Sequence, residues 1–242
     1  MNGHNKITII GNLVDTPVLK TYAPGKTLAE FTIAVNNNNV KKTTTYFKAT
    51  AFAGLGDVAT KYQKKGDSVL LDARIRVKQY STKDGTKRQS AELIVNEMLM
   101  LGDGSNAGEN TAMLAGNLVA DPELSSLPNG TAKTKFRMAI NNGRRKLDKP
   151  EYIDVVLFDK SAENAAKILK KGKGVYVIGR LEAQTFTRKD GTKGDSIAVI
   201  ATRFQILGSK NGAKKVAETV SKISVFADVN SSESIDDEEL PF

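Results

Sequence analysis

The sequence predicts an all-β chain built as two copies of one small barrel, and three observations carry that reading. The first is an internal repeat. Gly11-Asn12-Leu13-Val14 returns as Gly116-Asn117-Leu118-Val119, an offset of 105, and Pro17, Gly25, Phe31 and Ala34 return as Pro122, Gly130, Phe136 and Ala139. After one added residue the offset becomes 106, so that Tyr46, Phe52, Lys65-Gly66, Val69 and Arg74 meet Tyr152, Phe158, Lys171-Gly172, Val175 and Arg180. The second is period-two alternation of apolar residues in the repeated segments, the mark of strands with one buried face. The third is Asp84-Gly85, repeated as Asp190-Gly191, a hairpin turn between apolar runs. A period near one hundred residues exceeds the roughly 20–50 of solenoid and propeller units and has the size of an independent domain.

Within each repeat the elements follow in the same order. Ile7-Thr8-Ile9-Ile10 and Met113-Leu114-Ala115 lead into Gly11 and Gly116, where a glycine inside a strand suits the sharp bend of a small barrel. Phe31 to Val35 and Phe136 to Ile140 alternate as half-buried strands, and Tyr46 to Phe52 and Tyr152 to Phe158 form a third strand. Val58, Ala59 and Tyr62, like Ala162, Ala165, Ala166 and Leu169, are spaced for a short helix stopped by Lys65-Gly66 and Lys171-Gly172. Two long final strands, 68–78 and 90–101 in the first repeat, flank the Asp-Gly turn. Three strands, a short helix and a hairpin is the order of the OB-fold, a five-stranded Greek-key barrel. Periodicity alone leaves other small barrels open; the helix between the third and fourth strands decides the choice. The expected layout is an OB-fold over 1–102, a Gly/Ser/Asn-rich linker over 103–111 and a second OB-fold over 112–208. A spacer follows over 209–230, in which Val216, Val220 and Ile223 stand at helical spacing, and then a disordered acidic tail over 231–242.

Composition narrows the function. There is no cysteine, which excludes disulfides, thiolate metal sites and thiol nucleophiles. No apolar run approaches the ~20 residues of a membrane helix, and the first residues lack a signal-peptide core, so a cytoplasmic protein is expected, with no membrane association. The net charge of +9 is unevenly placed. Residues 228–242 hold six acids and no base, whereas 1–102 carry 15 basic against 8 acidic residues and 112–208 carry 17 against 10. A basic body suits a polyanion, most commonly nucleic acid, although charge also serves solubility.

Binding unpaired strands without regard to sequence needs flat rings for bases and cations for phosphates along one groove. Each repeat offers both. The candidate stacking residues are Tyr46, Phe52 and Tyr80 in the first repeat and Tyr152, Phe158 and Phe186 in the second. The candidate phosphate contacts are Lys48, Arg74, Arg76, Lys78 and Lys87, then Arg137, Arg144, Arg180, Arg188 and Lys193. Phe31 and Phe136 read as core. Tyr46 and Phe52 are six residues apart on one strand, as are Tyr152 and Phe158, so each pair shares a face. Enzyme chemistry finds no support. The lone histidine, His4, lies in first residues expected to fray, and Lys170-Lys171-Gly172-Lys173-Gly174 lacks the spacing of a phosphate-binding loop. Neither a metal nor a cofactor is expected.

The strings Ile9-Ile10-Gly11-Asn12-Leu13 and Leu114-Ala115-Gly116-Asn117-Leu118-Val119-Ala120-Asp121-Pro122-Glu123 resemble the first-strand signature of bacterial single-stranded DNA-binding proteins. Val175-Tyr176-Val177-Ile178-Gly179-Arg180-Leu181 is similar to that family's fourth strand, and the second repeat fits better than the first. The end of the chain, Asp236-Asp237-Glu238-Glu239-Leu240-Pro241-Phe242, is similar to the family's acidic tip, whose Pro-Phe is implied to dock into replication, recombination and repair enzymes. A phenyl ring and a terminal carboxylate would plug a basic-rimmed apolar pocket while the acids steer the encounter. The resemblance implies a non-catalytic protector of single-stranded DNA that assembles four OB-folds, hence a homodimer here. Two departures stand out: the family's tryptophans are absent, with tyrosine and phenylalanine in their places, and 209–230 is unlike a long Gly/Gln/Pro-rich linker. An RNA-binding or primosome-accessory OB protein is the alternative.

Overall fold

Gly11 explains how the first barrel closes. A Cβ there would lie 2.4 Å from the carbonyl oxygen of Ala34, and one on Gly116 would lie 2.4 Å from that of Ala139. Only a residue without a side chain lets the first strand bend that close to its neighbour while still pairing on its other edge. The structure, a computed structural model, describes residues 3–36, 43–81, 87–103, 108–141, 149–187 and 193–208. In the first repeat the strands are β1 (His4–Leu13), β2 (Val18–Ala23), β3 (Lys26–Asn36) and β4 (Thr44–Phe52), then helix α1 (Gly54–Tyr62), β5 (Asp67–Ser81) and β6 (Lys87–Asp103). The second repeats the order as β7 (Glu109–Leu118), β8 (Glu123–Ser126), β9 (Ala132–Ile140), β10 (Glu151–Phe158), α2 (Asp159–Ile168), β11 (Gly174–Thr187) and β12 (Lys193–Leu207).

β1 pairs antiparallel with β5 from Ile7↔Ala73 to Asn12↔Ser68, then passes to β3 at Asn12↔Ala34 and Leu13↔Ile33. β3 pairs antiparallel with β4, and β4 runs parallel to β6 at Ala49↔Leu93, which closes the ring through the β5–β6 hairpin. The ring β7–β11–β12–β10–β9 closes identically. Both rings have the predicted Greek-key order, and inward residues fill them. Ile7, Ile9, Phe31, Ile33, Phe47, Leu71, Ile75 and Leu93 of the first repeat and Leu114, Phe136, Met138, Ile153, Leu157 and Val177 of the second belong to one buried apolar cluster. Phe31 and Phe136 are core, as expected.

Three features depart from the sequence reading. Each ring carries an added short strand, β2 or β8, laid on the outer edge of β3 or β9. Apart from half-buried Ala23 these residues are exposed, so no alternation announced them. Helix α1 turns Gly56 and Ala59 to the barrel and leaves Val58 and Tyr62 exposed, because the close approach of β3 and β4 admits only small residues. His4 does not fray: it opens β1, pairs with Ala115, and sets its ring 6.0 Å from that of Tyr176. Of the expected linker, Asp103 ends β6 and Glu109 begins β7. The Asp-Gly turns, the 209–230 spacer with its helical spacing, and the acidic tail lie outside the described residues.

The two barrels share one continuous sheet through β1 and β7, paired antiparallel from His4↔Ala115 to Ile10↔Glu109. Ile7 pairs with Ala112, its own counterpart in the other repeat, so an approximate two-fold axis passes through that pair. The bracing contacts duplicate accordingly. The Asn5 amide donates to the Ile75 carbonyl at 2.9 Å and accepts from its N–H at 3.0 Å, and Asn110 does the same to Leu181 at 2.9 Å for both bonds. In each case a side-chain amide continues the ladder where β1 or β7 leaves its own barrel for the other.

Candidate nucleic-acid interface

The alternation that sends Phe47 inward sends Tyr46, Lys48 and Phe52 outward on β4. Tyr46 is 58% exposed and its counterpart Tyr152 is 40% exposed. Phe52 is half-buried because other groups stack on it. The ring of Tyr22 meets it edge-on at 5.8 Å, and the guanidinium carbon of Arg76 stands 5.8 Å over its face. Arg76 in turn donates from Nε to Glu92 at 2.6 Å. Lys48 is exposed on the same strand face, and Arg74 is half-buried two strands away on β5, across β6. The outer face of the first barrel therefore joins three rings, Tyr22, Tyr46 and Phe52, to three cations, Lys48, Arg74 and Arg76. Such a surface can stack bases and neutralise phosphates. Tyr22 escaped the sequence reading because it sits on the unpredicted β2, at an irregularity in pairing between Thr21 and Ala23.

The second barrel keeps two of these three rings, with Leu127 at the place of Tyr22, and has a different distribution of charge. Tyr152 and Phe158 project from β10, and a recess beside them is lined by Lys133, Lys135, Asp154, Phe158 and Glu182. Asp154, at the position of Lys48, receives Arg137 through Nε at 2.6 Å and Nη2 at 3.1 Å, and Lys135 at 3.0 Å. Burial, the largest single influence, pushes the Asp154 carboxyl upward. The hydrogen bonds from Arg137 and Lys135, together with their charges, outweigh it and hold the group below the ordinary carboxylate range. Arg137 is correspondingly raised by its hydrogen bond to Asp154. Arg180 lies 3.8 Å from Glu182, which replaces Arg76. Lys133 and Lys135 were missed because their counterparts, Leu28 and Glu30, are not cationic.

Between the barrels, Glu151 of β10 accepts the Val77 N–H of β5 at 2.7 Å. Burial raises its pKa above the ordinary range, against the opposing pull of that hydrogen bond and of Arg74 and Arg76. Of the remaining sequence candidates, Lys78 and Tyr80 are strand positions of β5 and Lys87 one of β6, with Tyr80 in register with Arg88. Phe186 is a position of β11 and Lys193 of β12. Arg144, Arg188 and the tail residues Asp236 to Phe242 lie outside the described residues. No cluster of three or more metal-ligating side chains occurs among the described residues, and none of their helices is long and apolar enough to cross a membrane.

The profile of the single-strand binding protein family matches residues 4–101 and again 109–207, once on each barrel. The chain belongs to that family. Among its relatives, a single-stranded DNA-binding protein of Deinococcus radiodurans is 29% identical over 87% of this chain and 77% of that protein. One of Thermus thermophilus is 25% identical over 99% of both. A Staphylococcus aureus single-stranded DNA-binding protein 2 is 38% identical over 112 residues, which is 44% of this chain but 78% of that shorter relative. Among solved structures, the wild-type single-stranded DNA-binding protein of Thermus aquaticus superposes with a TM-score of 0.69 over 86% of this chain and 95% of that one, at 21% identity. That likeness is one of fold. Within the family, the present chain sets tyrosine and phenylalanine on outer faces that also carry its exposed cations.

Proposed function

We propose that the protein binds single-stranded DNA without regard to base order, catalyses no reaction itself, and protects exposed strands during replication, recombination and repair. The observation that carries this reading is the clustering, on a barrel of the single-strand binding family, of Tyr22, Tyr46 and Phe52 with Lys48, Arg74 and Arg76. Rings stack on any base, and cations neutralise any phosphate, so neither contact depends on sequence. Lys78, Tyr80 and Lys87 in the first repeat, and Arg144, Phe186, Arg188 and Lys193 in the second, would extend the grip along the hairpins. The tail Asp236–Phe242 would dock partner enzymes. Two barrels per chain, set against a relative mostly spanned by one repeat's length, support a homodimer that presents four. The protein would act in the cytoplasm, at the nucleoid.

Titration with oligothymidine, followed through tyrosine emission because the chain has no tryptophan, tests the proposal. Log affinity should fall with log salt at about −0.7 per phosphate contacted. A folded protein that ignores oligothymidine, or whose affinity is indifferent to salt, would overturn it. Competition between DNA and RNA oligomers of equal length distinguishes the RNA-binding alternative.

A further inference from the structure

The two outer faces are not copies of each other. At the offset of the repeats, Lys48 becomes Asp154, Arg76 becomes Glu182, and Thr32, which pairs with Lys48 across the β3–β4 ladder, becomes Arg137, which pairs with Asp154. In the first barrel Lys48 is exposed and makes no ion pair among the described residues. In the second, the carboxylate at that place holds both Arg137 and Lys135. A phosphate arriving at the first face meets a cation ready for it. One arriving at Lys135 or Arg137 must displace an intramolecular partner and meets the Asp154 carboxylate, which leaves Lys133 as the cation of that recess without an ion pair among the described residues.

We infer that the barrels bind DNA unequally, with the first as the primary site and Asp154 as the residue that holds the second in reserve. This rests on the proposed single-strand binding and specifies how it is divided. A strand first engages the Lys48 face. The reserve lies in a carboxylate sited among three cations (Lys133, Lys135 and Arg137); the rings of Tyr152 and Phe158 remain in place, while Leu127 stands where the first barrel has Tyr22.

The test compares Asp154→Asn and Lys48→Gln in the full chain, with oligothymidine as the probe over a salt series. Asp154→Asn forfeits two ion pairs, so its Tm falls, yet its affinity should rise several-fold. Its salt slope should steepen by about 0.7–1.4, the equivalent of one or two added phosphate contacts. Lys48→Gln should weaken binding several-fold and flatten the slope by about 0.7. Phe52→Leu and Phe158→Leu supply a second arm, directed at the rings, and Phe52→Leu should cost the larger factor at moderate salt. Unchanged or weaker binding by a folded Asp154→Asn protein would overturn the inference, as would equal losses from the two phenylalanine variants. Wild-type protein that binds no oligothymidine would instead remove the single-strand reading beneath it.

Discussion

Ala53 has φ 51° and ψ −136°, and Asp159, its counterpart, has φ 55°. Both stand where the chain reverses from a strand into the helix, a geometry suited to glycine and strained for side chains by roughly 1–3 kcal/mol. Ala53 is held there by donating to the Thr27 carbonyl at 2.9 Å and accepting from Gly56 at 2.8 Å. Replacing Ala53 with glycine relieves the strain but loosens the unfolded chain, so a net gain of about 0.5–1 kcal/mol is expected, read from urea unfolding midpoints. Glu151 makes a second prediction. Its folded pKa is raised, so its contribution to stability is greatest at low pH and is lost as pH rises through the folded value. Glu151→Gln keeps an acceptor for Val77 without the charge, and its Tm should exceed wild type at pH 7 and match it near pH 4. Tyr22 makes a third: Tyr22→Ala should weaken oligothymidine binding by no more than the ~1–3 kcal/mol that stacking one base supplies. Unaltered binding would place Tyr22 in a purely structural role.

Each strand that leads its barrel serves two partners, and its glycine is what permits this. The prediction at this scale is that Gly11→Ala and Gly116→Ala each cost roughly 1–3 kcal/mol, since Cβ would press on a backbone carbonyl that belongs to the closing pair and cannot swing aside. Equal thermal stability of wild type and variants would show the barrels to be looser than drawn. How legible the elements were depended on burial. Strands β3 and β4 alternate between core and solvent, so period two located them and put Tyr46 and Phe52 on one face, while only the structure shows that face to be the outer one. Strand β2 lies on the outer edge with almost every side chain exposed, and an element that buries nothing leaves no periodic trace. Tyr22 was lost with it.

At the scale of the molecule, the antiparallel β1–β7 ladder makes two barrels into one twelve-stranded sheet among the described residues. Its approximate axis through Ile7 and Ala112 places the two ring-bearing faces in equivalent settings. Symmetry of backbone with asymmetry of charge is the combination that allows graded engagement of a long polyanion. The tail adds a whole-molecule prediction: residues 228–242 carry six acids beside a basic body and should compete with DNA at low salt. Their removal should therefore tighten oligothymidine binding there and matter little at high salt, where screening already separates the charges.

The chain's order of residues was enough to establish duplication, barrel class, strand parity and the cationic, ring-bearing character of the surface. These follow from local rules, since glycine position, alternation and turn chemistry act within a few residues of one another. Tertiary structure alone decided which cations stand ready and which are held. Arg137 and Asp154 are seventeen positions apart and meet only because β9 and β10 pair in one register. The same holds for Tyr22 over Phe52 and for Glu151 reaching Val77 of the other barrel. Electrostatic and stacking contacts act through space over a few ångströms, and folding, not spacing along the chain, sets those distances.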